Sequence, residues 1–122
     1  MYTVIRFVGE SACLPMLMKI GTAINEIRPG VYSGPRKPGD GFFCEISSDT
    51  GWGKHHAAII AFITDFRELI KQSVEGGASV TIDIAVEPED VEARRPIFVL
   101  HYEHNLLAAL ASCGVELEVS IY

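Results

Sequence analysis

The chain is short of cysteine. It has three, Cys13, Cys44 and Cys113, far apart and odd in number, with no C-x-x-C pair. That pattern excludes a disulfide framework and reads as separate thiols in a reducing compartment. Cys44 and Cys113 are expected as small buried apolar side chains. No apolar run approaches the ~20 residues that a membrane-spanning helix needs. The start carries no basic segment followed by an apolar stretch and a small-residue cleavage site. The expected setting is therefore cytoplasmic, with no membrane partner. Neither G-x-x-x-x-G-K-[ST] nor G-x-G-x-x-G occurs, and H-E-x-x-H is missing too, so no nucleotide, dinucleotide or zinc-protease signature is present and no cofactor is expected. Positive charge is scarce as well: 10 Lys and Arg against 16 Asp and Glu leave a net charge of −6. Such a surface repels phosphate backbones, and nucleic acid is not an expected partner.

What is there suffices for one core. The 122 residues are 48% hydrophobic and 21% charged, a globular balance in a length typical of one domain, here spanning 1–122. Tyr2 to Gly9 reads as a strand whose near-continuous apolar character suits a central position. Ser11 to Gly21 reads as a short helix with Pro15 in its first turn and Gly21 as its stop. Between Arg28 and Gly41, proline and glycine are dense enough to break regular structure, leaving a short strand near Val31–Ser33. Gly41 to Ser48 reads as a strand.

The strongest signal lies between Lys54 and Val74. Ile59, Phe62, Ile63, Phe66, Leu69, Ile70 and Val74 recur at steps of three and four, which sets them on one face of a helix closed by Gly76–Gly77. Val80, Ile82, Ile84 and Val86 alternate with Thr81, Asp83 and Ala85, a strand with one buried face; Asp83, on the face opposite the valine and isoleucine row, is expected to be solvated. Glu87 to Arg95 reads as a loop or helical turn, and Pro96 to Tyr102 as a further strand. Glu103 to Cys113 reads as a helix stopped by Gly114, and Val115 to Tyr122 alternates as the last strand. The expected fold class is α+β: a mixed, mostly antiparallel sheet of five or six strands with two or three helices packed on one face. The first elements can be drawn as a split β-α-β arrangement.

Chemistry-bearing residues are few. Four histidines form two pairs, His55–His56 and His101/His104, with Glu103 between the second two. Imidazoles gathered with a carboxylate are what a metal site requires, and these four are the candidate ligands. Cys13 lies near a helix start, where the dipole lowers a thiol pKa, but no base stands beside it in the sequence. The irregular loop carries Arg36, Lys37 and Asp40 at its tip and is the best candidate for ligand or partner contact. Trp52 stands in a glycine-flanked turn before the long helix, suited either to anchoring an interface or to stapling the helix start.

The order of pieces resembles a bacterial family, the domain of unknown function 4279. The pieces are an opening strand, the helix ending PMLMKIG, the stretch PRKPGDGFFCEISSD, the helix HHAAIIAFITDFRELI and the ending NLLAALASCGVELEVSIY. The resemblance implies a small bacterial α+β protein and no particular activity. The proline-rich loop departs from the pattern. By analogy, small acidic domains of this kind are similar to immunity proteins, which cover basic toxin surfaces. The sequence thus favours a non-enzymatic binding or interaction domain with a protein partner. A small metal-dependent or hydrolytic enzyme built on the histidine pairs is the alternative. An edge strand at the terminus also invites a homodimer by sheet extension.

Overall fold

The structure is a computed structural model that describes residues 1–33, 41–48, 51–92 and 100–122. Its strands are β1 (Tyr2–Val8), β2 (Tyr32–Ser33), β3 (Gly41–Ser47), β4 (Ser79–Val86) and β5 (Glu116–Ile121). Its helices are α1 (Leu14–Ile27), α2 (Trp52–Glu75), α3 (Pro88–Glu92) and α4 (His104–Cys113). Four strands of six to eight residues make one mixed sheet, with the two-residue β2 at one edge, in the order β2-β3-β1-β4-β5. The fold class is α+β. β1 lies between β3 and β4 and is antiparallel to both, whereas β4 and β5 run parallel. The β1-α1-β2 and β3-α2-β4 units interleave, and β5 extends the sheet beyond β4.

β1 is central because its residues are apolar on both sides. Ile5 stands opposite Ile82 on one neighbour and Cys44 on the other. Phe7 stacks on Phe42 with ring centroids 4.5 Å apart. These join Leu17, Ile20 and Ile24 of α1, Ile59, Phe62, Phe66 and Ile70 of α2, and Leu106 and Leu110 of α4 in one core. Complete burial of a large apolar side chain contributes about 1.5–3 kcal/mol, so these residues carry most of the stabilisation. Gly41, which starts β3, has φ +124° and lies so close to the Phe7 carbonyl that a Cβ would stand 1.9 Å from its oxygen. Only glycine fits that crossing.

Several elements differ from the sequence expectation. α1 runs through Gly21 to Ile27, because Leu17, Ile20, Gly21 and Ile24 form a continuous buried stripe. Gly21 is thus a packing residue and not a stop. α2 begins at Trp52 and bends at Phe66, whose φ of −114° and ψ of 17° depart from helical values. β4 is buried on both sides from Ile82 to Val86, against an expectation of one wet face, because side chains of the neighbouring strands, Arg6 and Ser120, close over Asp83 on its second side. Leu100 to Tyr102 are not in a strand; the rest of the expected Pro96–Tyr102 strand lies outside the described residues. Gly114 closes α4 with φ +73°, as its sequence position implies. Among the described residues no helix is long and apolar enough to cross a membrane.

Candidate ligand-binding face

Strand side chains alternate, so Tyr2, Val4, Arg6 and Val8 point away from the side occupied by Thr3, Ile5 and Phe7. Register brings Phe43 beside Arg6, Glu45 beside Val4, and Asp83 on the other flank of Val4. Glu118 of β5 stands next to Asp83, and Ser120 next to Ala85. This second face holds a cavity of about 330 Å³. Its apolar wall comes from Val4, Val8 and Phe43, its polar wall from Arg6, Asp83 and Ser120, and Tyr2 and Tyr122 also line it.

The polar wall is one connected network. The Arg6 guanidinium lies 3.0 Å from Glu118 Oε2 and 3.6 Å from Asp83 Oδ2. The Ser120 hydroxyl donates to Asp83 Oδ1 at 2.8 Å. Asp83 is only 7% exposed, which corrects the expectation that it is solvated. A buried carboxylate is tolerable only when charge-paired and hydrogen-bonded, and the network supplies both. Along this face Glu45, Asp83, Glu116 and Glu118 stand against Arg6, so the described residues leave it acidic. An apolar recess with a carboxylate rim suits a ligand that offers both a cation and a greasy group.

The histidine pairs lie elsewhere. His55 is fully buried, with Nδ1 2.9 Å from the Thr3 hydroxyl oxygen, and that hydrogen bond ties α2 to β1. His56 is half-buried at the edge of the Trp52 ring, 6.1 Å between centroids, and its Nε2 has no partner among the described residues. His101 and His104 are exposed. The described residues contain no group of three or more His, Cys, Asp or Glu that could hold a metal ion. Trp52 is the link between the two pairs: its indole N–H donates to the His101 carbonyl at 2.8 Å, and its ring packs edge-on against Tyr102. It pins the 100–102 segment to the start of α2. Burial raises the Tyr102 phenol pKa.

Burial pushes the Cys44 thiol up to about 12, so it stays protonated and inert. The Cys13 thiol donates to the Gly76 carbonyl at 3.3 Å. Arg36, Lys37 and Asp40 lie outside the described residues. The residues that build the cavity, Arg6 and Asp83 above all, went unrecognised in the sequence. The available signal was a single charge inside each of two apolar strands, which a folded domain keeps only where a partner is waiting.

Comparison with family models, curated proteins and solved structures returns no match.

Proposed function

We propose that this domain is a non-enzymatic binding module that takes a basic partner protein on the second face of its sheet. The reading takes the longer helices to cover the Ile5–Phe7 side and to leave the Arg6–Asp83 side for the partner. The observation that carries it is the recess walled by Val4, Val8 and Phe43, with Arg6 and Asp83 on its polar wall and Glu118 paired to Arg6 beside it. A partner lysine or arginine would join the carboxylates, while a neighbouring apolar side chain would fill the recess. Charge complementarity of this kind speeds encounter and selects the partner more than it adds affinity. An immunity protein covering a basic toxin is one form of such a module, in keeping with the net charge of −6.

The test uses the full chain and a fluorescent peptide probe in which Lys and Arg alternate with Leu and Phe. A probe with Glu in place of each basic residue is the control. Anisotropy should rise with the basic probe only. Binding should weaken steeply with salt and weaken again in the Glu116→Gln/Glu118→Gln variant. Equal binding of both probes, or of neither, refutes the reading.

A further inference from the structure

Among the described residues the sheet ends at β5, which pairs with β4 on one side only. The direction of its backbone groups can be read from one bond. The Tyr122 N–H donates to the Val86 carbonyl at 3.1 Å. In a parallel ladder such bonds recur at every second residue. Glu118 and Ser120 therefore bond inward to β4, and Leu117, Val119 and Ile121 aim their N–H and C=O groups outward. The side chains at this edge are bare too: Val119 is 38% exposed, Ile121 72% and Tyr122 68%. Natural edges are usually blocked by lysine, proline or a bulge. β5, ELEVSI, has no lysine or proline, pairs with β4 in unbroken register, and carries only two glutamates.

Those glutamates select the register in which a second copy fits. A two-fold axis normal to the sheet makes the two β5 strands antiparallel. An axis at Leu117 sets Glu116 against the other copy's Glu118, and an axis at Glu118 sets that carboxylate against itself. Like charges directly opposite are destabilising. An axis at Val119 avoids both. It places Leu117 opposite Ile121, Glu118 opposite Ser120 and Glu116 opposite Tyr122, with Val119 beside its own copy. It also makes Val119 and its copy a hydrogen-bonded pair, which the outward N–H and C=O of Val119 require. An axis at Ser120 is also free of charge clashes, but within β5, bounded at Glu116 and Ile121, it pairs only Val119 and Ile121 of the outward positions, where the Val119 axis pairs Leu117, Val119 and Ile121.

We infer that β5 is a self-association edge, and that two copies join into one continuous sheet about an axis through Val119. The pairing sets Glu116 of one copy beside Tyr122 of the other. Tyr122 lines the cavity, so the second copy adds a carboxylate to its rim. The inference does not rest on the partner reading: the edge pairs whether or not the cavity binds a basic protein. One edge strand alone buries less than the ~800 Å² per partner of a standard interface, so the dimer is reversible and concentration-dependent.

Cysteine crosslinking reads the register directly, in a Cys13→Ser background to remove the least buried native thiol. Residues facing each other as a hydrogen-bonded antiparallel pair have Cα atoms ~5.5 Å apart, within disulfide reach. Val119→Cys should therefore give a disulfide dimer under mild oxidation. Leu117→Cys and Ile121→Cys alone should not, because four residues of offset along the strand separate each from its copy by about 13 Å. Both changes together should. Sedimentation equilibrium on the unmodified chain should show monomer and dimer, and Val119→Lys should abolish the dimer. Monomer alone at the highest soluble concentration overturns the inference. So does crosslinking that is strongest at Leu117 or Ile121 singly.

Discussion

Alternate residues of β1 live in two environments. Thr3, Ile5 and Phe7 are sealed against helices and neighbouring strands at 0% exposure. Arg6 and Val8, their immediate neighbours, face a cavity and solvent. The sealed side is constrained in composition: its side chains fill a common core, and the His55 imidazole within it is hydrogen-bonded to the Thr3 hydroxyl. The other side holds a charged network of three strands that is satisfied internally and yet open at its rim. One side fixes the fold, and the other carries the charged network that the proposed partner would meet.

The sharpest test of that contrast is a pair of truncations one residue apart. Phe7→Ala should cost about 3–5 kcal/mol by removing a fully buried ring, a large part of the ~5–15 kcal/mol that holds a domain together. Val8→Ala, at a position 45% exposed, should cost less than about 1 kcal/mol. Urea denaturation compares the two directly; similar costs would break the distinction between the faces. Next in size is Arg6→Met, which leaves Asp83 buried with the Ser120 hydroxyl still donating to it. A loss of about 1–3 kcal/mol is expected, and most of it should vanish when Asp83→Asn is already present. Additive losses in that double-mutant cycle would show that Arg6 and Asp83 do not act together.

Cys44 gives the sealed side a pH signature. Its thiol is raised from 9.0 to about 12 in the fold, so above pH 9 the unfolded chain releases a proton that the folded chain keeps. Stability contributed by the neutral thiol is complete below pH 9 and falls as pH climbs toward 12, by at most about 1.4 kcal/mol per pH unit. Cys44→Ala should flatten that decline in denaturation midpoints taken across this range, although the raised Tyr102 phenol leaves a residual slope of the same sign. A decline of the same steepness in the variant would contradict the assignment. A modest effect belongs to Trp52→Phe, which keeps the ring packing and deletes the bond to the His101 carbonyl. About 1 kcal/mol is expected, with faster hydrogen exchange at residues 100–102.

The sequence made the sealed side readable and left the other dark. The long helix declared itself through Ile59, Phe62, Ile63, Phe66 and Ile70, and the apolar run of β1 announced a central strand. Both signals are local periodicities. The Arg6–Glu118 bond joins residues 112 positions apart and exists only because β4 lies between β1 and β5. No local pattern encodes that order, so Asp83 looked like an ordinary solvated residue. Gly21 misled for a related reason: a glycine after a helical run reads as a stop unless a neighbour's closeness is known. The histidine pairs drew attention by composition, whereas the fold gave His55 to the core and left His101 and His104 exposed.

The central claim, that a basic partner docks on the Arg6–Asp83 face, is tested most directly by amide chemical-shift mapping of the labelled chain with the Lys/Arg–Leu/Phe peptide. The account predicts the largest changes at Val4, Arg6, Phe43, Asp83 and Ser120. Changes centred on His101, His104 and the start of α4, with those five unmoved, would contradict it.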